Sequence, residues 1–241
     1  MSGRDAEISR RTGETDVSLR LGLDGSGAGT RRTGVGFLDH MLDLLARHGR
    51  LDLDVQVQGD LDTGSHHTVE DTGIVLGQAL DAALGDRRGI TRYGSALIPM
   101  DEARAACAID ISGRPYCAVE GFDRLPAGDI AGFEYEAAEE FFRAVASAAR
   151  LTLHIDLQAG TNAHHMIEAC FKAFAPACRS RWSVSRPPLA TARKNSSAAS
   201  CSKPAMSPGG SSRPPNRQYG RPEMSMVQAA RASSIGTTAC P

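Results

Sequence analysis

The pattern of apolar and polar positions predicts two strands and two helices in the early part of the chain. Apolar residues alternate with polar or small ones over residues 17–23 and again over 51–57, which is typical of half-buried strands. Residues 37–46 have apolar side chains at helical spacing, and a second helical run extends from His66 to about Leu84. This stretch is therefore predicted to form a strand, a helix, a strand and a helix.

A similar order of elements is predicted a second time. The second set comprises strands at 105–111, 116–120 and 151–157, and helices at 137–149 and from His164 to just before Pro176. We therefore predict an α+β fold that arose by internal duplication, with half-domains of about 8–88 and 89–175. Each half-domain is expected to be a small sheet with two helices on one face, packed against each other.

Residues 176–241 differ in composition from the rest of the chain. They hold one acidic residue, Glu223, against ten Lys and Arg, and 47 of them are Ser, Pro, Ala, Arg, Gly or Thr. Such a segment buries too little apolar surface to offset the entropy of ordering its backbone, so we predict a disordered, low-complexity basic tail. Two origins stay open: an arm for an anionic partner, or sequence read out of frame after the true final helix.

Charge and composition argue against several classes of protein. The formal net charge is −1, and the tail has only two aromatic residues, Trp182 and Tyr219, to stack on bases. No apolar run approaches the roughly 20 residues that span a bilayer, and the N-terminus lacks the apolar core of a signal peptide. We therefore expect a cytoplasmic protein with no membrane and no nucleic-acid partner, whose cysteines are reduced.

Two copies of a His-His-Glu pattern indicate metal binding. The copies are His66-His67-Thr68-Val69-Glu70-Asp71 and His164-His165-Met166-Ile167-Glu168-Ala169. Each opens a predicted helix, where neighbouring side chains point about 100° apart, so adjacent histidines cannot easily face one ion. Each histidine can share a helix face with the Glu three or four residues later. The pattern predicts two metal centres completed by ligands from elsewhere; the alternative is two helix N-terminal turns with surface histidines.

The preceding helix of each half offers one further ligand. His40 lies 26 residues before His66, and Glu140 lies 24 residues before His164. Both therefore come from the helix that precedes the His-His helix of their half. The alternative for Glu140 is an exposed helix carboxylate. His154 lies in a predicted strand and is expected to have a structural role.

Further motifs occur in a fixed order along the chain. They are Arg10-Arg11-Thr12-Gly13-Glu14-Thr15, Phe37-Leu38-Asp39-His40-Met41, Gly89-Ile90-Thr91-Arg92-Tyr93-Gly94, Met100-Asp101-Glu102, Ser112-Gly113-Arg114-Pro115, Leu151-Thr152-Leu153-His154 and Phe171-Lys172. Together with the two His-His-Glu copies, they resemble the motifs of the imidazoleglycerol-phosphate dehydratase family. The resemblance covers roughly residues 8–175, so residues 1–175 are interpreted as a dehydratase domain.

The resemblance implies a reaction and a cofactor. The family removes water from D-erythro-imidazoleglycerol phosphate to give imidazole acetol phosphate in histidine biosynthesis, and two manganese ions per active site hold the substrate as imidazolate. The implied metal ligands are His40, His66, His67, Glu70, Glu140, His164, His165 and Glu168. Imidazole and carboxylate ligands with open positions suit Mn²⁺ or Fe²⁺ better than a closed zinc site. Position 140 departs from the family, in which a His precedes Phe-Phe.

The resemblance also implies roles in catalysis and substrate binding. Glu14 is expected to be the base that removes a carbon-bound proton, and Asp101 is the second candidate. The phosphate group of the substrate is expected to be bound by Arg92, Arg114 and Lys172. A guanidinium group can donate two parallel hydrogen bonds to phosphate oxygens, and an ammonium group acts as a point charge. The implied substrate contacts are Glu14, His40, His48, His66, Glu70, Arg92, Arg114, His164 and Lys172.

The resemblance also implies an assembly, and the sequence leaves alternative functions open. The family forms oligomers of twenty-four chains, so a homo-oligomer with metal ions at its subunit interfaces is expected. The family's C-terminal Ser/Thr-Lys-Gly element, which helps to bind phosphate, is not found in this sequence. One alternative is therefore a metal-assembled but catalytically impaired homologue, and another is a two-metal phosphohydrolase. For His48, capping of the first helix is the alternative to contact with substrate.

Overall fold

The first half of the chain forms a four-stranded sheet and two helices. A computed structural model describes residues 4–182. The elements are β1 (Asp5–Arg11), β2 (Thr15–Gly22), β3 (Arg31–Arg32), α1 (Gly36–Gly49), β4 (Asp52–Gly59) and α2 (His66–Leu84). The strand order is β1-β2-β4-β3, and all pairs are antiparallel except β3 with β4.

The second half repeats this arrangement. Its elements are β5 (Tyr93–Met100), β6 (Ala103–Asp110), β7 (Tyr116–Glu120), β8 (Asp129–Ile130), β9 (Phe133–Glu134), α3 (Ala137–Ala148), β10 (Thr152–Ala159) and α4 (Ala163–Trp182). The strand order is β5-β6-β10-β7, again with one parallel pair, β7 with β10, and β8 and β9 form a separate hairpin. The predicted α+β fold with internal duplication is confirmed.

The sequence pattern does not predict β1 and β5, the edge strands that open the two halves. The apolar side chains of β1 are limited to Ala6 and Ile8, which pack against the core but are only partly buried. β5 contains Pro99 and has no fully buried large side chain. Because the core-facing side chains of these two strands are only partly buried, strict apolar alternation is not required there and the periodicity is weak.

Alternation along the inner strands separates a buried sheet face from an exposed one. In β2, Val17, Leu19 and Leu21 are fully buried, whereas Ser18 and Arg20 are exposed. α2 packs on the first sheet and α4 on the second, and the principal helix pairs run across the halves, α1 with α4 and α2 with α3. The expectation that the two helices of one half pack against each other is therefore corrected. Periodicity marks the apolar face of a helix but does not choose its partner.

Two glycines allow α2 to approach α3 closely. A Cβ at Gly77 would lie 2.6 Å from the Cβ of Ala148 and 2.8 Å from the carbonyl oxygen of Val145. A Cβ at Gly73 would lie 2.9 Å from the carbonyl oxygen of Phe141. These distances leave no room for a side chain, so the two glycines set the spacing of this helix pair.

Gly77→Ala is expected to destabilise the fold by about 1–3 kcal/mol through overpacking, although alanine by itself favours a helix by about 1 kcal/mol. Gly36→Ala is the control, because a Cβ there meets no atom within 4 Å. Chemical denaturation measures the free energy of unfolding of both variants. A Gly77→Ala midpoint equal to that of the unchanged chain would contradict the argument.

The final helix continues through Pro176. The sequence pattern predicts that this helix ends before Pro176, and that expectation is wrong, because α4 extends to Trp182 with the proline inside it. An internal proline removes one backbone hydrogen bond. The adjacent Ala177 and Cys178 are fully buried, and this packing offsets the loss. Residues 183–241 of the predicted tail lie outside the described residues, so their disorder stays a prediction.

The cysteines and the search for membrane-spanning helices give no further indication of function. The described cysteines, Cys107, Cys117, Cys170 and Cys178, are free thiols, and burial raises the pKa of Cys117 to about 11. No helix within residues 4–182 is long and apolar enough to cross a bilayer. Cys201 and Cys240 fall outside this part of the chain.

Candidate metal centre

Two histidines and a carboxylate converge where α1 meets α4. The ligand atoms of His40, His164 and Glu168 all lie within 4.8 Å of one another. Nε2 of His164 is 3.1 Å, and Nε2 of His40 is 3.9 Å, from the same oxygen, Oε2 of Glu168. The Glu168 side chain is buried, whereas both imidazoles are about half exposed. Two imidazoles and a carboxylate, open to solvent on one side, fit a divalent metal ion with free coordination positions.

Packing between α1 and α4 creates this group. His164 and Glu168 are four residues apart on α4 and so share a helix face, and α1 supplies His40. The ring of Phe37 packs edge-on against His164 with centroids 5.0 Å apart, and the backbone N–H of His164 donates to Oδ1 of Asn162 at 2.9 Å. The Phe37 contact holds the second His-His-Glu copy against α1, and the Asn162 bond orders the first turn of α4.

Glu168 also pairs with Lys172, one turn further along α4. Nζ of Lys172 lies 2.5 Å from Oε1 of Glu168 and 3.1 Å from Sδ of Met100. Burial opposes ionisation of Glu168, but the hydrogen bond and charge of Lys172, together with the two nearby histidines, hold the pKa of this carboxyl below its ordinary value. One carboxylate oxygen thus faces the lysine and the other faces the histidines.

Two further predicted residues border this group. His48, near the end of α1, is largely exposed. The part of its ring that is covered, and then the positive charge of Lys172, lower its pKa. Nδ1 of His165 lies 2.8 Å from Oε2 of Glu102, and its Nε2 lies 3.6 Å from Oδ2 of Asp101. The hydrogen bond with Glu102 is the main reason that the pKa of His165 is raised.

The carboxylate of Glu102 ties the β5–β6 turn to the start of α4. Besides contacting His165, it accepts hydrogen bonds from the backbone N–H groups of Asn162 at 2.9 Å and Thr161 at 3.2 Å. These hydrogen bonds, with that of His165 the largest, lower the pKa of Glu102 to about 2. Sequence reasoning assigned Glu102 no role, and its only signal is an acid in a tight hairpin turn.

The first His-His-Glu copy is arranged differently. Nε2 of His66 lies 3.7 Å from Oε2 of Glu70, and Nδ1 of His67 lies 3.2 Å from Oδ2 of Asp60. The hydrogen bond with Asp60, and then the charges of acids that include Glu14, raise the pKa of His67. Sequence reasoning missed Asp60, whose only signal is an acid shortly before a His-His helix.

Glu140 lies apart from the three-ligand group. It is half-buried on α3, beside a groove that Glu139, Arg143 and Tyr135 also line. Because α3 packs against α2, Glu140 belongs to the helix pair that carries the first His-His-Glu copy. His40 belongs, in the same way, to the pair that carries the second copy. The structure thus brings His40 to the copy in the other half, whereas the sequence grouped it with its own; for Glu140 it shows only that its helix pairs with α2.

Arg92 and Arg114 lie at the opposite end of the second sheet from the three-ligand group. Arg92 precedes β5, whereas Met100 at the other end of β5 contacts Lys172. A strand of eight residues is roughly 26 Å long, so one chain does not bring the predicted phosphate contacts together. Arg114, which is exposed, instead pairs with Asp110 at 3.2 Å.

The chain matches known proteins over most of the described residues. The family model described as imidazoleglycerol-phosphate dehydratase matches residues 33–178. A protein of that name from Acetivibrio thermocellus is 54% identical over 174 residues, which cover 72% of this chain and 88% of the relative. Another from Roseobacter denitrificans is 54% identical over 176 residues, which cover 73% of this chain and 89% of the relative.

Solved structures give the same result. The crystal structure of imidazoleglycerol-phosphate dehydratase from Staphylococcus aureus has a TM-score of 0.68 and 41% identity, and the match covers 75% of this chain and 99% of that chain. For IGPD from Pyrococcus furiosus the TM-score is 0.65 and the identity 35%, with 76% and 98% covered. The resemblance predicted from the motifs is confirmed. The chain belongs to the imidazoleglycerol-phosphate dehydratase family, the hydro-lyases of histidine biosynthesis.

Proposed function

We propose that this chain removes water from D-erythro-imidazoleglycerol phosphate to give imidazole acetol phosphate, with two manganese ions at each active site. The observation that carries the proposal is the group formed by His40, His164 and Glu168, where three metal-binding side chains converge in a chain of this family. The second His-His-Glu copy is predicted by its sequence to be a ligand set, and the first copy repeats that pattern.

The metal ligands are divided between the two helix pairs. His40, His164 and Glu168 would hold one ion, and His66 with Glu70 would contribute to the other. The remaining proposed ligands, which would complete the two centres at subunit interfaces, are His67, Glu140 and His165. When bound, the ions supply Lewis acidity at the imidazole ring of the substrate, hold it as imidazolate and orient it.

Glu14 is the proposed base for the carbon-bound proton. It is exposed in the turn between β1 and β2, where its backbone carbonyl accepts a hydrogen bond from the N–H of Asp60 at 3.0 Å. Among the contacts described for residues 4–182, its carboxylate accepts no hydrogen bond, so its oxygens are available to the substrate. Asp101, in the matching turn of the second half, is the second candidate for handling the proton.

Phosphate binding is proposed to use more than one chain. Lys172 lies at the three-ligand group with His48 beside it, whereas Arg92 and Arg114 are a strand length away in the same chain. We therefore assign the lysine and the two arginines of one phosphate site to different subunits of a homo-oligomer, with twenty-four chains as in the family. Metal ions at the same interfaces would link assembly to metal binding.

A specific observation favours a second candidate function. The family match ends at residue 178, and no Ser/Thr-Lys-Gly element follows in the sequence. The second candidate is a homologue that binds metal and assembles but turns over poorly, because it holds phosphate less tightly. The third candidate is a two-metal phosphohydrolase, for which the same ligand types would activate water.

Turnover by the purified full-length chain distinguishes these candidates. The chain is loaded with manganese and given imidazoleglycerol phosphate, and the ketone product, inorganic phosphate and bound manganese are measured in the same samples. We expect ketone formation that is lost on chelation and restored by manganese. Bound manganese without ketone would indicate the impaired homologue, and release of inorganic phosphate would indicate the hydrolase.

A further inference from the structure

The hairpin turn that carries Glu14 is anchored to α2 by a buried carboxylate, Asp71. Only 11% of the Asp71 side chain is exposed, and its Oδ1 lies 2.5 Å from Nη1 of Arg10. Its Oδ2 accepts a hydrogen bond from the hydroxyl of Thr15 and lies 3.4 Å from the hydroxyl of Thr12. All three partners belong to the β1–β2 hairpin, so this network joins the hairpin to the helix that opens with His66.

The same hydroxyls organise the backbone on both sides of Glu14. Oγ1 of Thr12 accepts hydrogen bonds from the N–H of Thr15 at 2.9 Å and from the N–H of Glu14 at 3.2 Å. The N–H of Thr12 in turn donates to the carbonyl of Thr15 at 2.8 Å. The turn is therefore held by bonds that lead to Asp71, and none of them uses the carboxylate of Glu14.

The second half anchors its matching turn in another way. By strand register and helix position, the counterparts of Thr12, Thr15 and Asp71 are Met100, Ala103 and Ala169. All three polar residues are thus apolar in the second half. The turn acid itself, Glu102, makes the anchor there, through the backbone of Thr161 and Asn162 and the ring of His165.

We propose that Asp71 is a positioning residue that holds the β1–β2 turn so that the carboxylate of Glu14 faces the substrate. This inference rests on the proposed dehydratase function. Because Asp71 holds the first turn, the Glu14 carboxylate takes no part in the bonds that hold it. The equivalent Glu102 carboxylate itself forms the bonds that hold the second turn. The equivalent acids Glu14 and Glu102 therefore have different tasks, proton transfer for Glu14 and attachment of the turn for Glu102.

Three variants test the anchor, and a fourth is the matched control. Asp71→Asn and Thr15→Val keep the side-chain shape but remove the charge or the hydroxyl, and Thr15→Ser restores the hydroxyl. Asp81→Asn is the control because Asp81 is on the same helix and pairs with Arg87 and Arg150, away from the turn. The assays measure kcat, KM, bound manganese and thermal stability of the full-length chain.

The expected result is a loss of turnover without loss of metal. Asp71→Asn and Thr15→Val should lower kcat by about 10-fold or more, since a misplacement of about 1 Å can cost 100-fold. KM and bound manganese should stay within about twofold of the unchanged chain, as for a group that acts on chemistry rather than on binding. Thr15→Ser should recover most of the turnover, and Asp81→Asn should lower only the melting temperature.

Hydrogen exchange of the backbone amides of residues 12–15 gives a readout that does not depend on activity. Asp71→Asn should speed exchange in this turn, and Asp81→Asn should not. Exchange at the unchanged rate in Asp71→Asn, or an equal loss of kcat in Asp71→Asn and Asp81→Asn, would overturn the proposal. Were the unchanged chain inactive, the dehydratase function and the positioning role would both fail, while faster exchange would still identify Asp71 as the anchor.

Discussion

Glu14→Gln is expected to lower kcat by about 10²–10⁴-fold, the usual contribution of a positioned proton-transfer group. Glutamine has the same shape as glutamate but cannot take up the proton. Bound manganese and the melting temperature should stay unchanged, because Glu14 is exposed and its carboxylate does not hold the hairpin together. KM should change less than kcat if the carboxylate acts mainly in the transition state.

The matched control for this variant is Glu7→Gln. Glu7 is an exposed glutamate on β1 of the same hairpin, so its replacement removes the same charge without touching the turn. Steady-state kinetics of both variants with manganese present makes the comparison. Turnover of Glu14→Gln equal to that of Glu7→Gln would exclude Glu14 as the base, and Asp101→Asn would then be the next variant to measure.

Glu168→Gln is expected to weaken manganese binding at one of the two centres by about 100-fold or more, because loss of a residue that merely hydrogen-bonds to a metal ligand already costs about 10–100-fold. Glu168 supplies the oxygen that both His40 and His164 face, and an amide is a poorer ligand for a hard cation than a carboxylate. Activity should fall with metal occupancy. If metals link the subunits, manganese should no longer increase the particle size measured by light scattering.

Loss of the ion pair with Lys172 needs its own control. Glu168→Gln leaves the lysine without its carboxylate, which should lower the free energy of unfolding by about 2 kcal/mol. Lys172→Met removes the same ion pair but keeps the carboxylate, so it should retain manganese. Elemental analysis and light scattering of both variants separate the two effects. Full manganese occupancy in Glu168→Gln would contradict the assignment of Glu168 as a ligand.

The sequence by itself determined the α+β class, the duplication and the family, because each rests on local signals. Strands such as β2 and β4 bury one face, and their alternation is visible without a structure. The His-His-Glu copies stand out because a helix places a ligand three or four residues from its partner. The sequence pattern did not predict the edge strands β1 and β5 or the continuation of α4 through Pro176, because packing rather than local pattern decides them.

Only the tertiary structure decided which residues of the candidate site meet. Helix pairing across the halves brings His40 to His164 and Glu168, and no local pattern encodes which apolar faces meet. The structure likewise showed that the Glu102 carboxylate bonds to the start of α4, whereas Asp71 bonds to the hairpin that carries Glu14. These roles depend on hydrogen bonds between segments about 60 residues apart, whose geometry is set by packing of the whole core.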